Sequence, residues 1–509
     1  MSPEAREAFE GVAVRVATSG GRLVGRRIGS VSVFKGIPYA AAPVGKLRWR
    51  PPQPVDRWDG DRLAFEAGPA PMQALPVTSS LMYQVNHADA RALVMSEDCL
   101  YLNVWSPDVS ADAKLPVLFW IHGGANKTGH GAQELFDGRR LAERGLVVVT
   151  INMRVGALGF LSLPELNAED EFGASGNYGV QDVAAALRWV HENAAAFGGD
   201  PARITIGGNS AGAATVTHLM AAPTTRGLFR AALGQSASGV FRPEGRMLNQ
   251  TEAAQQGLAA VSALGQSLER LRDLPATAFL PIAPQGVIVD GRLVVEETTD
   301  VFLQGRQAAV PLLVGWNADE GSLFSSKARS EYESLPCFRK PCSTLASLYP
   351  LGDTEQVVNA RRALIGDKRF TYPVWRWGRT HAETSPAKTW IYEFAHSLPV
   401  PEDVQPPADG GREYGAFHTA EVLFAWDNLD MRPWHWSDID RDVARQMADA
   451  WARFIATSDP NGSGLPEWQT FRASRDDHLM RFGASTRPGY AARRKAFDVF
   501  DESILQVKR

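Results

Sequence analysis

Ile204-Thr205-Ile206-Gly207-Gly208-Asn209-Ser210-Ala211-Gly212-Ala213-Ala214 is the stretch around which the chain is organised. Ile204 to Ile206 is a β-branched run and reads as the end of a buried strand. Ala211 to Met220 reads as a helix, with Pro223 stopping it. Between them lies Gly-x-Ser-x-Gly, from Gly208 to Gly212. A strand that enters a helix through one sharp turn needs small residues on both sides of the turning residue. That residue is held in a strained conformation with its side chain pointing out. A serine there stands at the positive end of a helix and can act as a nucleophile. An ordinary strand-to-helix turn with a capping serine carries the same letters. The strand–turn–helix context and the partners found elsewhere in the chain favour the nucleophile.

The chain has 509 residues, 44% hydrophobic and 22% charged, so it can build a sizeable core. Lys+Arg 53 against Asp+Glu 57 leaves a net charge of −4, which suggests neither a nucleic-acid groove nor a patch for acidic membranes. Met1 to Glu7 is polar with no apolar run behind it, so no signal peptide is expected. No apolar run is long enough to span a bilayer. Cys99, Cys337 and Cys342 are the three cysteines, too few for a disulfide framework. Cys99 lies in an apolar stretch and reads as a small buried hydrophobe; Cys337 and Cys342 flank a loop.

Residues 12 to 34 alternate like antiparallel strands turning at Gly20-Gly21. Strands are expected at Leu100 to Trp105, Leu115 to Ile121, Leu146 to Asn152, Ala231 to Gln235, Val310 to Trp316 and Thr389 to Ala395. Helices are expected at Ala132 to Arg144 and, with strong amphipathic spacing, at Gly179 to Phe197. Another runs from Asp438 to Thr457, with Met447, Trp451 and Phe454 on a core face. This alternation predicts the α/β class with a large, mostly parallel sheet flanked by helices. Residues 240–308 and 322–385 lack the rhythm and read as helical, loop-like excursions over the sheet that wall a pocket. With no repeat and no linker, one domain over 1–509 is expected.

A serine hydroxyl needs a base, and the base needs an orienting group. Among ten histidines, His418 is best placed, on a Gly-containing loop before a helix start. Glu320 follows the strand ending at Trp316, where parallel sheets place their ligands, and Asp319 is its local competitor. The order Ser210, Glu320, His418 is that of the strand–elbow–helix hydrolases. Developing negative charge needs N–H donors. His122-Gly123-Gly124-Ala125 leaves a strand end with small residues, and Gly124, Ala125 and Ala211 can supply them.

These residues, taken together, resemble the type-B carboxylesterase/cholinesterase family of the α/β-hydrolase superfamily, over almost the whole chain. The likeness rests on Phe34-Lys35-Gly36-Ile37-Pro38-Tyr39-Ala40, Glu97-Asp98-Cys99-Leu100-Tyr101-Leu102-Asn103-Val104, Asn152-Met153-Arg154-Val155-Gly156, Phe197-Gly198-Gly199-Asp200-Pro201 and Asp459-Pro460-Asn461. It implies a serine carboxylesterase of bacterial type, working through an acyl-enzyme. Ser210 would be nucleophile, His418 base, Glu320 orienting acid, and Gly124, Ala125 and Ala211 oxyanion donors. It also implies the ion pairs Arg48–Glu97 and Arg154–Asp182. Three departures stand out. Asn209 replaces the usual glutamate before the nucleophile. Asn126-Lys127-Thr128 makes one pocket wall more polar. Residues 68–73 lack the cysteine that pairs with Cys99 in relatives, which fits a reducing cytoplasm.

A serine amidase or carbamate hydrolase uses the same triad and is the alternative. A non-catalytic interaction module of the same fold is disfavoured, because all three triad residues are present. No cofactor and no metal are expected, since no Walker loop, dinucleotide fingerprint or His-Glu-x-x-His occurs. The expected partner is a small-molecule ester, with no nucleic acid and no membrane, and a monomer is favoured.

Overall fold

The structure is a computed structural model that describes residues 12–507, apart from 76–79, 87–92, 238–239, 243–244, 325–346, 351–354, 406–412 and 473–476. Cys337 and Cys342 lie outside the described residues. Among the described residues, thirteen strands form one sheet. They are β1 (Val12–Ala17), β2 (Arg22–Ile28), β3 (Val31–Pro38), β4 (Asp61–Leu63), β5 (Tyr101–Ser106), β6 (Leu115–Ile121) and β7 (Val147–Ile151). Then follow β8 (Gly199–Asn209), β9 (Ala231–Gln235), β10 (Leu312–Asn317), β11 (Thr389–Phe394), β12 (His478–Phe482) and β13 (Arg487–Tyr490). Their spatial order is β1-β2-β3-β5-β7-β6-β8-β9-β10-β11-β12-β13, with β4 beside β2.

The run from β7 to β12 is parallel throughout. The flanks are antiparallel, at β1–β2, β2–β3, β3–β5 and β5–β7 on one side and β12–β13 on the other. Strand β8 sits between β6 and β9, pairing Ile206 with Phe119 on one side and with Ala232 on the other. Both its edges are therefore paired, and its second half, from Ile204 to Asn209, is buried. Helix Tyr178–Asn193 packs Val183, Leu187 and Val190 into the core on one face of the sheet. Helix Asp438–Thr457 brings Met447, Trp451 and Phe454 into a second cluster with Trp120, Tyr392 and Trp426. No helix among the described residues is long and apolar enough to cross a membrane.

The expected helix over Ala132–Arg144 is instead a 3-10 turn, Glu134–Phe136, and one α-turn, Arg139–Ala142. Asp137 and Gly138 interrupt it. Asp137 Oδ1 accepts the Arg139 backbone N–H at 3.0 Å. Gly138 packs so closely on Trp105 that an added Cβ would lie 2.9 Å from the indole. Strands β12 and β13 and helix Arg494–Val507 were not anticipated from the sequence.

Two largely buried ion pairs join distant parts of the chain. Arg48 grips Glu97 with two bonds, Nε–Oε1 at 2.7 Å and Nη2–Oε2 at 2.5 Å. Its Nη1 donates to the Leu271 and Leu274 carbonyls. Arg154 grips Asp182 at 2.8 and 2.7 Å, and the Arg154 backbone N–H adds a third bond at 3.0 Å. The side chains of Arg154 and Asp182 are 4% and 0% exposed, against 6% and 16% for Arg48 and Glu97. Removing one partner of a buried pair strands the other charge, at a cost of about 3–5 kcal/mol. Arg154→Met should therefore destabilise the fold by about that amount, and Arg48→Met by less, because Glu97 keeps some water. Denaturant midpoints in the reverse order would sink this ranking.

Candidate active site

The elbow at Ser210 follows from steric crowding. Ser210 has φ 54 and ψ −122, a region that non-glycine residues enter only under constraint. A Cβ on Gly212 would lie 2.1 Å from the Ile121 carbonyl oxygen, and one on Gly208 would lie 2.6 Å from the Gly212 carbonyl carbon. The helix Ala211–Ala221 thus starts pressed against the end of β6. The Ser210 side chain makes no capping bond to that helix. It lies instead with Oγ 2.9 Å from His418 Nε2.

His418 Nδ1 is 2.5 Å from Glu320 Oε2. The other oxygen, Oε1, accepts from Ser236 Oγ at 2.5 Å and from the Asn317 backbone N–H at 2.9 Å. The structure thus brings Ser210, His418 and Glu320 into one hydrogen-bonded line, although 208 and 98 residues separate the two bonded pairs. Asp319 faces elsewhere. Its Oδ2 accepts the Ala416 N–H at 2.9 Å, and its own N–H donates to the Ala416 carbonyl at 3.0 Å. Two adjacent acids thereby hold two parts of the histidine loop, one its backbone and one its imidazole. Two aromatic rings also pack on the imidazole. The Phe370 ring lies 4.0 Å away at 31°, and Phe324 meets its edge at 5.6 Å. Phe370 comes from a π-helical turn, Asp367–Thr371, of the kind that often marks functional positions. Of the other aromatic residues between 322 and 385, Tyr349, Trp375 and Trp377 pack into the main core.

The turn after β6 carries the other candidate donors. Asn209 Oδ1 accepts the Gly123 N–H at 3.0 Å, so that donor is already used. Among the described residues, the N–H groups of Gly124, Ala125 and Ala211 have no protein acceptor. Gly124 has φ +114, and a Cβ there would strike the Thr128 carbonyl at 2.1 Å. The Gly124 carbonyl accepts from the Lys127 and Thr128 N–H groups, which closes the turn. His122 is buried beneath, donating from Nδ1 to the Gly123 carbonyl at 2.8 Å; burial lowers its pKa to about 4, so it stays neutral. Among the described residues no cluster could hold a metal ion.

The sequence reading missed Ser236, Asn317, Gln235 and Glu421. Glu421 lies three residues after His418, fully buried. It accepts from Gln235 Nε2 at 3.1 Å and from Asn317 Nδ2. Asn317 Nδ2 also donates to the Phe417 carbonyl at 2.7 Å, so one amide joins β10 to the histidine loop. Burial, and then the neighbouring Glu320 charge, raise the Glu421 carboxyl to about 7. The His-x-x-Glu spacing was visible in the sequence, but its meaning depends on β9 and β10 meeting behind it.

The chain is similar to known proteins over nearly its whole length. The profile described as "Carboxylesterase family" matches residues 12–498. The chain is 34% identical over 491 residues to the fumonisin B1 esterase of Sphingopyxis macrogoltabida, covering 91% of this chain and 85% of that one. It is 31% identical to the para-nitrobenzyl esterase of Bacillus subtilis, covering 91% and 94%. Among solved structures, a Geobacillus stearothermophilus carboxylesterase superposes with a TM-score of 0.79 at 32% identity, covering 95% of this chain and 99% of that one.

Glu421 makes stability pH-dependent in a definite direction. A carboxyl raised to about 7 in the fold holds a proton that the unfolded chain releases near its ordinary value of about 4.3. Its effect on stability is constant below about pH 4.3, turns progressively unfavourable up to about pH 7, and is constant above. Glu421→Gln removes this term. The variant should gain on the parent by up to about 3 kcal/mol between about pH 4.5 and pH 8. Parallel stability–pH curves for the two proteins would refute it.

Proposed function

The chain belongs to the carboxylesterase family and is a carboxylic ester hydrolase, and from that premise we propose that Ser210, His418 and Glu320 carry the reaction. In this reading His418 Nε2 removes the proton from Ser210 Oγ as that oxygen attacks the ester carbonyl. The imidazolium so formed is held by Glu320 through Nδ1–H. The carbonyl oxygen becomes an oxyanion and takes N–H bonds from Gly124, Ala125 and Ala211, each typically worth about 3 kcal/mol in the transition state. Collapse breaks the bond to the alcohol oxygen, which leaves with the proton from His418. Water, activated by the same imidazole, then attacks the acyl-enzyme, releases the acid and returns Ser210 to its starting state.

The observation that carries this reading is the side chain of Ser210. It stands on a strained elbow, makes no cap, and lies 2.9 Å from an imidazole bound to Glu320 on its far side. The Phe370 and Phe324 rings favour a fixed imidazole plane, so both transfers can run through one nitrogen. The alternative substrate classes, amides and carbamates, would use the same atoms. Matched ester and amide substrates separate them.

We read the chain as one α/β-hydrolase unit with 240–308 and 322–385 as excursions around the pocket, and as a cytoplasmic protein of bacterial type. Cys99 supports the compartment: it is a free, buried thiol, and burial pushes its pKa up. Dithiothreitol should leave the melting temperature unchanged, and a marked drop would overturn the cytoplasmic reading.

Ser210→Ala should keep the melting temperature and lower kcat for p-nitrophenyl esters by about 10⁴-fold or more. An organophosphate should label Ser210 alone. Peptide mapping that places the label on another residue would end the assignment.

A further inference from the structure

Beside the Gly124–Thr128 turn lies a cavity of about 260 Å³. Its walls are mostly apolar, with Val155, Leu158, Phe279 and Ile282 among them. The polar exceptions are Gln73, Lys127 and Thr128. Gln73 is already committed. Its Nε2 donates to the Pro71 and Gly129 carbonyls at 3.0 and 3.1 Å, and its Oε1 accepts the Gly129 N–H at 2.7 Å. The Thr128 hydroxyl donates back to the Gly124 carbonyl at 3.4 Å. Lys127 is different. It is exposed, and among the described residues its ammonium has no carboxylate, carbonyl or ring partner.

The sequence around the cavity explains why. Its walls come from residues 72–74, 127–128, 155–158 and 279–284. The described stretches 70–75, 80–86, 121–133, 151–164 and 274–289 contain no Asp or Glu at all. Arg154, the other cation there, is bound to Asp182. A single unneutralised ammonium beside a mostly apolar recess favours an anion attached to an apolar chain, because low-dielectric walls strengthen the attraction.

The cavity's position identifies which half of the substrate enters it. The leaving alcohol must lie at His418, which returns the proton, and so on the side of Phe324 and Phe370. None of these residues lines the cavity. The cavity shares the 124–128 turn instead, where the carbonyl oxygen would sit, and Asn126 anchors that turn by accepting the Gly156 N–H at 2.7 Å. We propose that this cavity receives the acyl group and that Lys127 selects esters of dicarboxylic acids, holding the free carboxylate at the far end of the acyl chain. The inference rests on Ser210 and His418 acting as described above.

The test compares substrates that differ only at that end, monoethyl adipate and monoethyl pimelate against ethyl hexanoate and ethyl heptanoate, by released ethanol. For the parent protein the half-esters should show the higher kcat/KM. Lys127→Met should lower the ratio of half-ester to neutral-ester kcat/KM by about tenfold or more, chiefly through KM. Lys127→Arg should restore most of it. Raising the salt concentration should raise the parent's KM for the half-esters and not for the neutral esters. Free adipate should inhibit the parent competitively and the Lys127→Met protein less. An unchanged ratio in Lys127→Met, with Ser210-dependent turnover of the neutral esters, would overturn the inference and leave the esterase mechanism standing. No Ser210-dependent turnover of any ester would instead overturn the mechanism itself.

Discussion

The contact between Gly212 and the Ile121 carbonyl is the constraint on which the site depends. No side chain fits there, since a Cβ would lie 2.1 Å from the oxygen. Strand β8 therefore runs straight into a helix that abuts β6, and Ser210 is left at φ 54 with its side chain turned outward. The same close approach places the start of that helix beside the turn that leaves β6. Ala211 and the Gly124–Ala125 turn thus follow two strands that are adjacent in the sheet but some 90 residues apart in the chain. The strain at Ser210, typically about 1–3 kcal/mol, is offset by burial of both faces of the parallel run.

The histidine loop shows how little side-chain chemistry is needed to place an imidazole. Asp319 and Glu320 are neighbours at the end of β10. One side chain binds the loop backbone at Ala416 and the other binds the ring at Nδ1. Asn317, at the end of the same strand, holds the Phe417 carbonyl. Three residues within four positions thus set the loop's backbone, its tilt and the imidazole's tautomer. Behind them, Glu421 is enclosed by two amides and lies near Glu320. A buried carboxyl raised to about 7 makes the surroundings of the imidazole responsive to pH.

The Asn209 amide changes the site's electrostatics. Its oxygen secures Gly123, so the turn after β6 is tethered by a neutral group. On the other side of that turn Lys127 stands without a counter-charge among the described residues. Elsewhere in the chain acids and bases are closely balanced.

Long local patterns were legible in the sequence. The apolar runs of β6, β8 and β9, the amphipathic helices Tyr178–Asn193 and Asp438–Thr457, and the Gly-x-Ser-x-Gly turn all depend on neighbours within a few residues. Family likeness extended that reading to Ser210, Glu320, His418 and the Arg48–Glu97 and Arg154–Asp182 pairs. The weakly patterned β12 and β13 escaped it, as did the broken helix near Asp137, where Trp105 and Val148 crowd Gly138. Tertiary structure alone decided that Asp319 binds the loop backbone, that Phe370 covers the imidazole, that Glu421 is buried and that Lys127 stands without a partner among the described residues. Each of these is set by contacts with distant parts of the chain. No local propensity encodes such contacts, because they exist only once the sheet has brought its strand ends together.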